Sequence, residues 1–194
     1  MGAVLLLCTH TFASKSQNNY DSRLCGAEIL VMYQDLKILL NGPKNSNIKK
    51  SLEHRLKSGS NTLKWMCRKN ISKNSYRFDE LQFSIAEGKL KEARAILLSL
   101  LSEFPFNLSN SHGGLQSTNA AIAIYDTYCK SCHYQDNLSL PFPIYSLEKM
   151  AKQQSKDEFY ARMLIGVRGS EKINFRNPLS DEDIINLRNY LISK

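Results

Sequence analysis

The pentapeptide Cys129-Lys-Ser-Cys132-His133 restricts the possible structure and chemistry of this chain more than any other feature. The chain has 194 residues, with five cysteines and four histidines. From that composition, about 0.003 copies of Cys-x-x-Cys-His are expected by chance. The motif therefore predicts a site in which two thiols and an imidazole act together.

Three kinds of site use this spacing, and the surrounding sequence favours one of them. A zinc site needs a second ligand pair at finger or ribbon spacing, but the other cysteines and histidines occur singly. A thioredoxin-like pair follows a strand, whereas residues 118–128, TNAAIAIYDTY, have the apolar spacing of a helix. Covalent attachment of haem remains, because two thiols can add across the haem vinyl groups while the next imidazole reaches the iron.

The first residues of the chain have the character of an export signal. Residues 1–13, MGAVLLLCTHTFA, combine a short apolar core with small residues around a cleavage position after Ala13. No basic residue precedes the apolar core, and a buried N-terminal strand is the alternative. We predict a signal peptide over 1–13 and export, most simply to a bacterial periplasm.

Two helices and a turn are predicted next, and they place two cysteines together. Apolar residues recur at helical spacing over 22–40 and again from Ile48 to Met66, where Gly59 is expected to weaken or bend the helix. Asn41-Gly-Pro between them predicts a turn, hence an antiparallel hairpin. The midpoint of Cys25 and Cys67 lies in this turn, which predicts a disulfide between them; the alternative is two free buried cysteines.

The rest of the N-terminal half predicts a third helical region and then a boundary. Apolar residues from Phe78 to Phe104 have helical spacing, and Pro105 ends the pattern. A polar stretch with Gly113-Gly114 follows. We therefore predict an all-α chain with a helical module over 22–105 and a compact second domain over 116–194.

The chain is basic, with a formal net charge of +8. Nine lysines and arginines lie in 44–73 against Glu53 alone. This segment predicts a basic face for an acidic protein partner or a membrane surface, with an ordinary solvated helix face as the alternative. Nucleic acid is not expected for an exported chain. The chain has no run of 18 apolar residues, so no membrane span is predicted.

Residues 116–194 resemble a class I c-type cytochrome domain with one haem. A helix leads into the Cys-x-x-Cys-His motif, and a loop with prolines follows, LSLPFPIYSL. Then come a predicted helix, SKDEFYARMLIGVRG, a polar loop, SEKINFRNP, and a last helix, LSDEDIINLRNYLISK. Ser180 and Asp183 predict a capping box for this last helix. In the family it packs against the helix that carries the motif, with an aromatic residue at the crossing.

The resemblance implies roles for individual residues. Cys129 and Cys132 would carry the thioether bonds to one haem c, and His133 would be the proximal iron ligand. A backbone carbonyl at a loop proline, Pro141 or Pro143, would accept a hydrogen bond from the other ring nitrogen of His133. Arg168 is a candidate contact for a haem propionate, with an exposed loop arginine as the alternative.

The chain departs from the family at the second axial ligand. The loop SEKINFRNP holds no methionine where the family has one. Met163 or Met150 could bind the iron instead, although each also suits helix packing. Lys172 and His112 are further candidates, or the distal side could have no protein ligand.

The resemblance implies an electron carrier rather than an enzyme. The leading interpretation is an exported monohaem cytochrome that passes single electrons to redox partner proteins, alone or within a larger redox complex. The missing methionine supports an alternative, a haem protein whose open distal site binds NO, CO or a peroxide. A third interpretation is a docking subunit of a redox assembly, which would give the N-terminal helices a role.

Overall fold

Two long helices form the predicted N-terminal hairpin. In the computed structural model, which describes residues 10–68, 75–106, 118–170, 173–175 and 177–194, α1 spans His10–Leu40 and α2 spans Ser46–Met66. Asn45 caps α2, because its side chain accepts hydrogen bonds from the backbone N–H groups of Asn47 and Ile48. The side chains of α1 are described from Ser22 onward.

The disulfide between Cys25 and Cys67 is present, with the two Cα atoms 5.1 Å apart. It joins α1 to the end of α2, as the hairpin geometry predicts. Helix α1 begins at His10, well before the predicted start at residue 22. The predicted signal peptide lies mostly outside the described residues, so it stays a prediction.

The third helical region is two helices, not one. Helix α3 spans Ser75–Ala86 and α4 spans Leu90–Glu103. Between them Gly88 adopts a φ of +67 degrees, in the left-handed region where glycine is favoured. The periodicity of apolar residues continues across this break. The sequence therefore predicted one helical region where two helices pack against each other.

The C-terminal part is also helical, with one small hairpin of strands. Helix α5 (Thr118–Ile124) continues into a π-helical turn (Tyr125–Cys129) and then α6 (Lys130–His133). After a loop come α7 (Leu147–Gln153) and α8 (Lys156–Ile165). Strands β1 (Val167–Ser170) and β2 (Ile173–Phe175) pair in antiparallel fashion, and α9 (Asp181–Ser193) ends the chain.

The β1–β2 pair corrects two sequence predictions. The helix expected to run through Gly169 ends at Ile165, because Gly166 has a φ of +71 degrees and cannot continue a helix. Part of the stretch predicted as a polar loop, SEKINFRNP, is strand β2. The capping box of α9 is confirmed, with Ser180 and Asp183 each bonding the other's backbone N–H.

The described side chains form two apolar cores that share α1. One face of α1, including Ile29, packs with α2, α3 and α4. Another face, including Ala27 and Val31, packs with the C-terminal helices. The modules predicted over 22–105 and 116–194 therefore meet along α1. Within the described part of the chain, no helix is both long enough and apolar enough to span a membrane.

Candidate functional site

The Cys-x-x-Cys-His motif lies where a π-helical turn passes into a short α-helix. Cys129 is the last residue of the π-helical turn and is 8% exposed, whereas Cys132 lies in α6 and is exposed. The two thiols are free. A π-helical turn holds one more residue than an α-turn and is frequent at functional sites. The sequence predicted a continuous helix here, and nothing in its apolar spacing marked the extra residue.

The environment of Cys129 does not suit a thiol redox pair. Burial raises the pKa of the Cys129 thiol above its ordinary value, because a thiolate is poorly solvated there. Reactive redox thiols have a lowered pKa and are accessible. Burial therefore favours the neutral thiol form of Cys129, unlike the thiolate of a reactive redox cysteine.

The His133 ring is held through one of its nitrogens. Its Nδ1 lies 2.8 Å from the backbone carbonyl oxygen of Tyr145. Because a carbonyl only accepts hydrogen bonds, Nδ1 carries the hydrogen and donates it, and the lone pair is on Nε2. In this tautomer the ring presents Nε2 as a metal-binding nitrogen on its other side. The expected carbonyl partner, Pro141 or Pro143, is corrected to Tyr145, two residues beyond the second proline.

The loop that supplies this carbonyl is closed by contacts at its base. Asn137 and Ile144 exchange two backbone hydrogen bonds, of 2.8 and 3.0 Å. The carboxylate of Asp136 accepts a hydrogen bond of 2.8 Å from the Ser146 N–H and another of 2.7 Å from the Lys149 ammonium group. These bonds lower the pKa of Asp136, that of Lys149 contributing most. Sequence reasoning missed all of these contacts, because they join residues at irregular spacing.

Exposed aromatic side chains flank the motif and its loop. Tyr128 and Tyr134, on either side of the motif, are 75% and 65% exposed. Phe142 and Tyr145 in the loop are also exposed. Large apolar side chains that stay uncovered often mark a binding surface.

The helices α5 and α9 pack against each other. At the π-helical turn that follows α5, the ring of Tyr125 meets Tyr190 of α9 edge to face, with centroids 6.0 Å apart. Burial raises the pKa of Tyr125 and keeps its hydroxyl neutral. The contact fixes the direction from which α5 approaches the motif.

The candidates for the second axial ligand lie partly within and partly outside the described residues. Met150 and Met163 are partly buried and pack against the C-terminal core. The backbone of Arg168 is in β1, paired with Asn174, but its side chain lies outside the description. Lys172 and His112 also lie outside the described residues. Each of these roles stays a prediction.

The predicted basic face is interrupted by an internal residue. The side chain of Arg55 is only 13% exposed and contacts the carboxylate of Asp35 on α1. The prediction that Arg55 is part of the basic face is therefore wrong, because the charge of Arg55 is compensated inside the fold. Lys44, Lys49, Lys50, Lys57, Lys64 and Arg68 are exposed, and Lys69 and Lys73 lie outside the described residues.

Two further observations bear on identity. Among the side chains that are described, no group of three or more histidines, cysteines and carboxylates could hold a metal ion on its own. No protein-family model, curated protein or solved structure matches the chain. The Cys-x-x-Cys-His motif and its geometry are therefore the features that indicate function.

Proposed function

We propose that this chain is an exported c-type cytochrome that carries one covalently bound haem and transfers single electrons. The observation that carries the proposal is the state of the motif: two free thiols, and a His133 ring whose Nδ1–H is bound to a carbonyl. That arrangement presents Nε2 as a ligand beside both thiols. The chain would act in a bacterial periplasm, with haem c as its one cofactor.

The residues of the motif fit haem on one side. Cys129 and Cys132 would each form a carbon–sulfur bond as the S–H adds across a vinyl double bond, with the hydrogen going to the other vinyl carbon. This addition needs no oxidant, and it needs both thiols free, as they are. When bound, haem supplies a one-electron iron couple, whose potential depends on ligands, hydrogen bonds and burial.

The protein's own part is to orient the ligand and shield the group. The bond from His133 to the Tyr145 carbonyl fixes the tautomer and makes Nε2 more basic. The exposed rings of Tyr128, Tyr134 and Phe142 offer apolar surface next to the motif that a flat macrocycle could cover. Within this proposal the exposed lysines of α2 would face an acidic redox partner.

A first experiment tests attachment directly. The full chain, behind an export signal, is produced in a bacterial host with its haem-attachment machinery, and its intact mass is measured. We expect a gain of one haem in wild type and none in Cys129→Ala/Cys132→Ala. Ser131→Ala, which changes a residue inside the motif but keeps both thiols and the imidazole, is the matched control. A folded wild-type chain without haem would overturn the proposal.

A second candidate is a haem protein with an open distal side that binds a small ligand. The observation favouring it is that Met150 and Met163 are partly buried and both pack against the C-terminal core. Optical spectra of the reduced, haem-loaded protein with and without CO distinguish the two candidates. A change on adding CO indicates an open site, and an unchanged spectrum indicates a second protein ligand.

A further inference from the structure

The N-terminal hairpin contacts the loop that holds His133. Two side chains at the start of α2 donate hydrogen bonds to consecutive carbonyls of the loop. The Asn45 amide nitrogen lies 3.3 Å from the Leu138 oxygen, and the Asn47 amide nitrogen lies 3.0 Å from the Ser139 oxygen. Further along the same helix, the His54 ring meets Phe142 with centroids 6.2 Å apart.

Both the oxygen and the nitrogen of the Asn45 side-chain amide make hydrogen bonds. Its Oδ1 accepts hydrogen bonds of 2.8 and 3.2 Å from the backbone of Asn47 and Ile48. Since that oxygen is engaged in capping, the nitrogen of the same planar group is directed at Leu138. The orientation of the donor is therefore set by the helix cap.

The loop transmits this contact to His133 over a short distance. Leu138 follows Asn137, whose two backbone bonds to Ile144 close the loop. Tyr145 is the next residue, and its carbonyl accepts the bond from His133. On the other side, Asp136 holds the Ser146 N–H. Displacing residues 138 and 139 would therefore disturb the pair that positions the Tyr145 carbonyl.

Helix α2 is itself firmly attached. The disulfide to Cys25 joins its end to α1. In its middle, Arg55 contacts Asp35, which also binds Arg162 of α8 at 2.7 Å. A support is useful only if it does not move with the supported part, and α2 meets that condition through two contacts with α1, one of which extends to α8 through Asp35.

We propose that the N-terminal hairpin is a built-in brace for the candidate haem loop, with Asn45 and Asn47 as positioning residues for His133. The brace keeps the Tyr145 carbonyl in place and so keeps the His133 hydrogen on Nδ1. What His133 then binds rests on the proposed function, but the brace itself does not require haem. This assigns a role to helices that the family resemblance leaves unexplained.

The test uses the variant Asn45→Asp/Asn47→Asp in the full chain. Aspartate keeps the helix cap, because its carboxylate accepts the same backbone bonds, but it cannot donate to the loop carbonyls. We compare the two His133 ring nitrogens by 15N NMR in the haem-free protein. We expect Nδ1–H in wild type and a shift toward Nε2–H in the variant, with faster amide exchange at Ile144.

The control is Asn61→Asp, which makes the same chemical change on α2. Asn61 accepts its hydrogen bond from Gln82, so aspartate keeps that contact and His133 should not change. Circular dichroism and slow exchange along α2 verify folding of each variant. If the double variant does not fold, Phe142→Leu replaces it as the perturbation of the loop tip. A folded variant with unchanged tautomer and unchanged Ile144 exchange overturns the brace.

The haem-loaded protein provides an independent readout. Loss of the Nδ1–H bond makes the imidazole a weaker ligand for the oxidised iron, so we expect the reduction potential of the variant to rise. An unchanged potential in a variant whose tautomer has shifted would overturn the link between the brace and haem. If wild type takes up no haem, the proposed function fails, while the NMR comparison still decides the brace.

Discussion

The guanidinium group of Arg162 lies 2.7 Å from the carboxylate of Asp35, although 127 residues separate them in the chain. Asp35 is fully buried on α1, and its other oxygen contacts Arg55 of α2. Arg162 also binds Glu158 within α8, at 2.9 Å. One carboxylate therefore joins three helices, two from the N-terminal module and one from the C-terminal part.

We predict that Asp35→Ala lowers the free energy of unfolding by about 3–5 kcal/mol, because it leaves two largely buried guanidinium groups without their shared partner. Urea unfolding of the disulfide-bonded protein measures the change. Glu53→Gln, which removes a solvent-exposed helix carboxylate whose nearest cation is 3.9 Å away, serves as the control and should change little. Equal losses for both variants would contradict a special role for Asp35.

The sequence predicted the helices better than it predicted which charged side chains are exposed. The hairpin of α1 and α2 and the Cys25–Cys67 disulfide followed from residue spacing and the position of the turn. Arg55 was misplaced on a surface because a run of basic residues has the same sequence pattern whether or not a distant carboxylate compensates one of them. Only the packing of α2 on α1 shows that Asp35 provides that compensation.

Replacing Cys25 and Cys67 together with alanine should lower the free energy of unfolding by about 4 kcal/mol, because the bond closes a loop with a sequence separation of 42 and restricts the unfolded chain. Denaturant unfolding measures the loss, and reduction of wild type should reproduce it. Cys132→Ser, which changes an exposed cysteine outside the pair, is the control. A double variant as stable as wild type would show that the bond does not stabilise the fold.

The candidate site divides in the same way between what sequence could and could not predict. The thiols and the imidazole were identified from the motif, because their spacing is fixed by the chemistry they share. The acceptor for His133 was predicted at Pro141 or Pro143, but it is the carbonyl of Tyr145. The Asn137–Ile144 pairing closes the loop and so determines which carbonyl lies next to His133. That pairing leaves no periodic trace in the sequence.

The two motif thiols should differ in reactivity before haem is attached. Because burial raises the pKa of Cys129, less of it is thiolate near neutral pH, and alkylation by iodoacetamide should be slower than at the exposed Cys132. Trypsin cleaves after Lys130, so the two cysteines fall on separate peptides that mass spectrometry can quantify. The difference should vanish in urea. Equal rates in the folded protein would show that Cys129 is accessible.

The contact of Asp136 with the loop should persist well into acid. The bonds from Lys149 and the Ser146 N–H lower the pKa of Asp136 in the folded protein, whereas an unperturbed aspartate has a pKa of about 3.9. Its stabilising effect is therefore fully present above that value and is lost as the pH falls through the lower, folded-state pKa. The chemical shift of the Ser146 amide should titrate with a midpoint below 3.9. Asp136→Asn, which keeps an acceptor, should show no such step, and a midpoint above 3.9 in wild type would contradict the contact.

Gly59 offers a test of how closely α1 and α2 approach. The sequence suggested that it weakens or bends α2, but the helix is continuous and Gly59 is buried. A Cβ atom added there would lie 2.8 Å from the Glu28 Oε1 and 3.0 Å from the Met32 sulfur, both on α1.

Gly59→Ala therefore opposes two effects. Alanine favours the helix by about 1 kcal/mol over glycine, whereas overpacking a closely packed contact costs about 1–3 kcal/mol. Glu28 and Met32 are fully buried, so neither can swing into solvent, and we expect the packing cost to prevail. Urea unfolding should show a net loss of stability in Gly59→Ala, while Ser58→Ala, one position away on the same helix, should be neutral or slightly stabilising. A more stable Gly59→Ala protein would mean that the two helices can separate there without cost, and that glycine is not required for their contact.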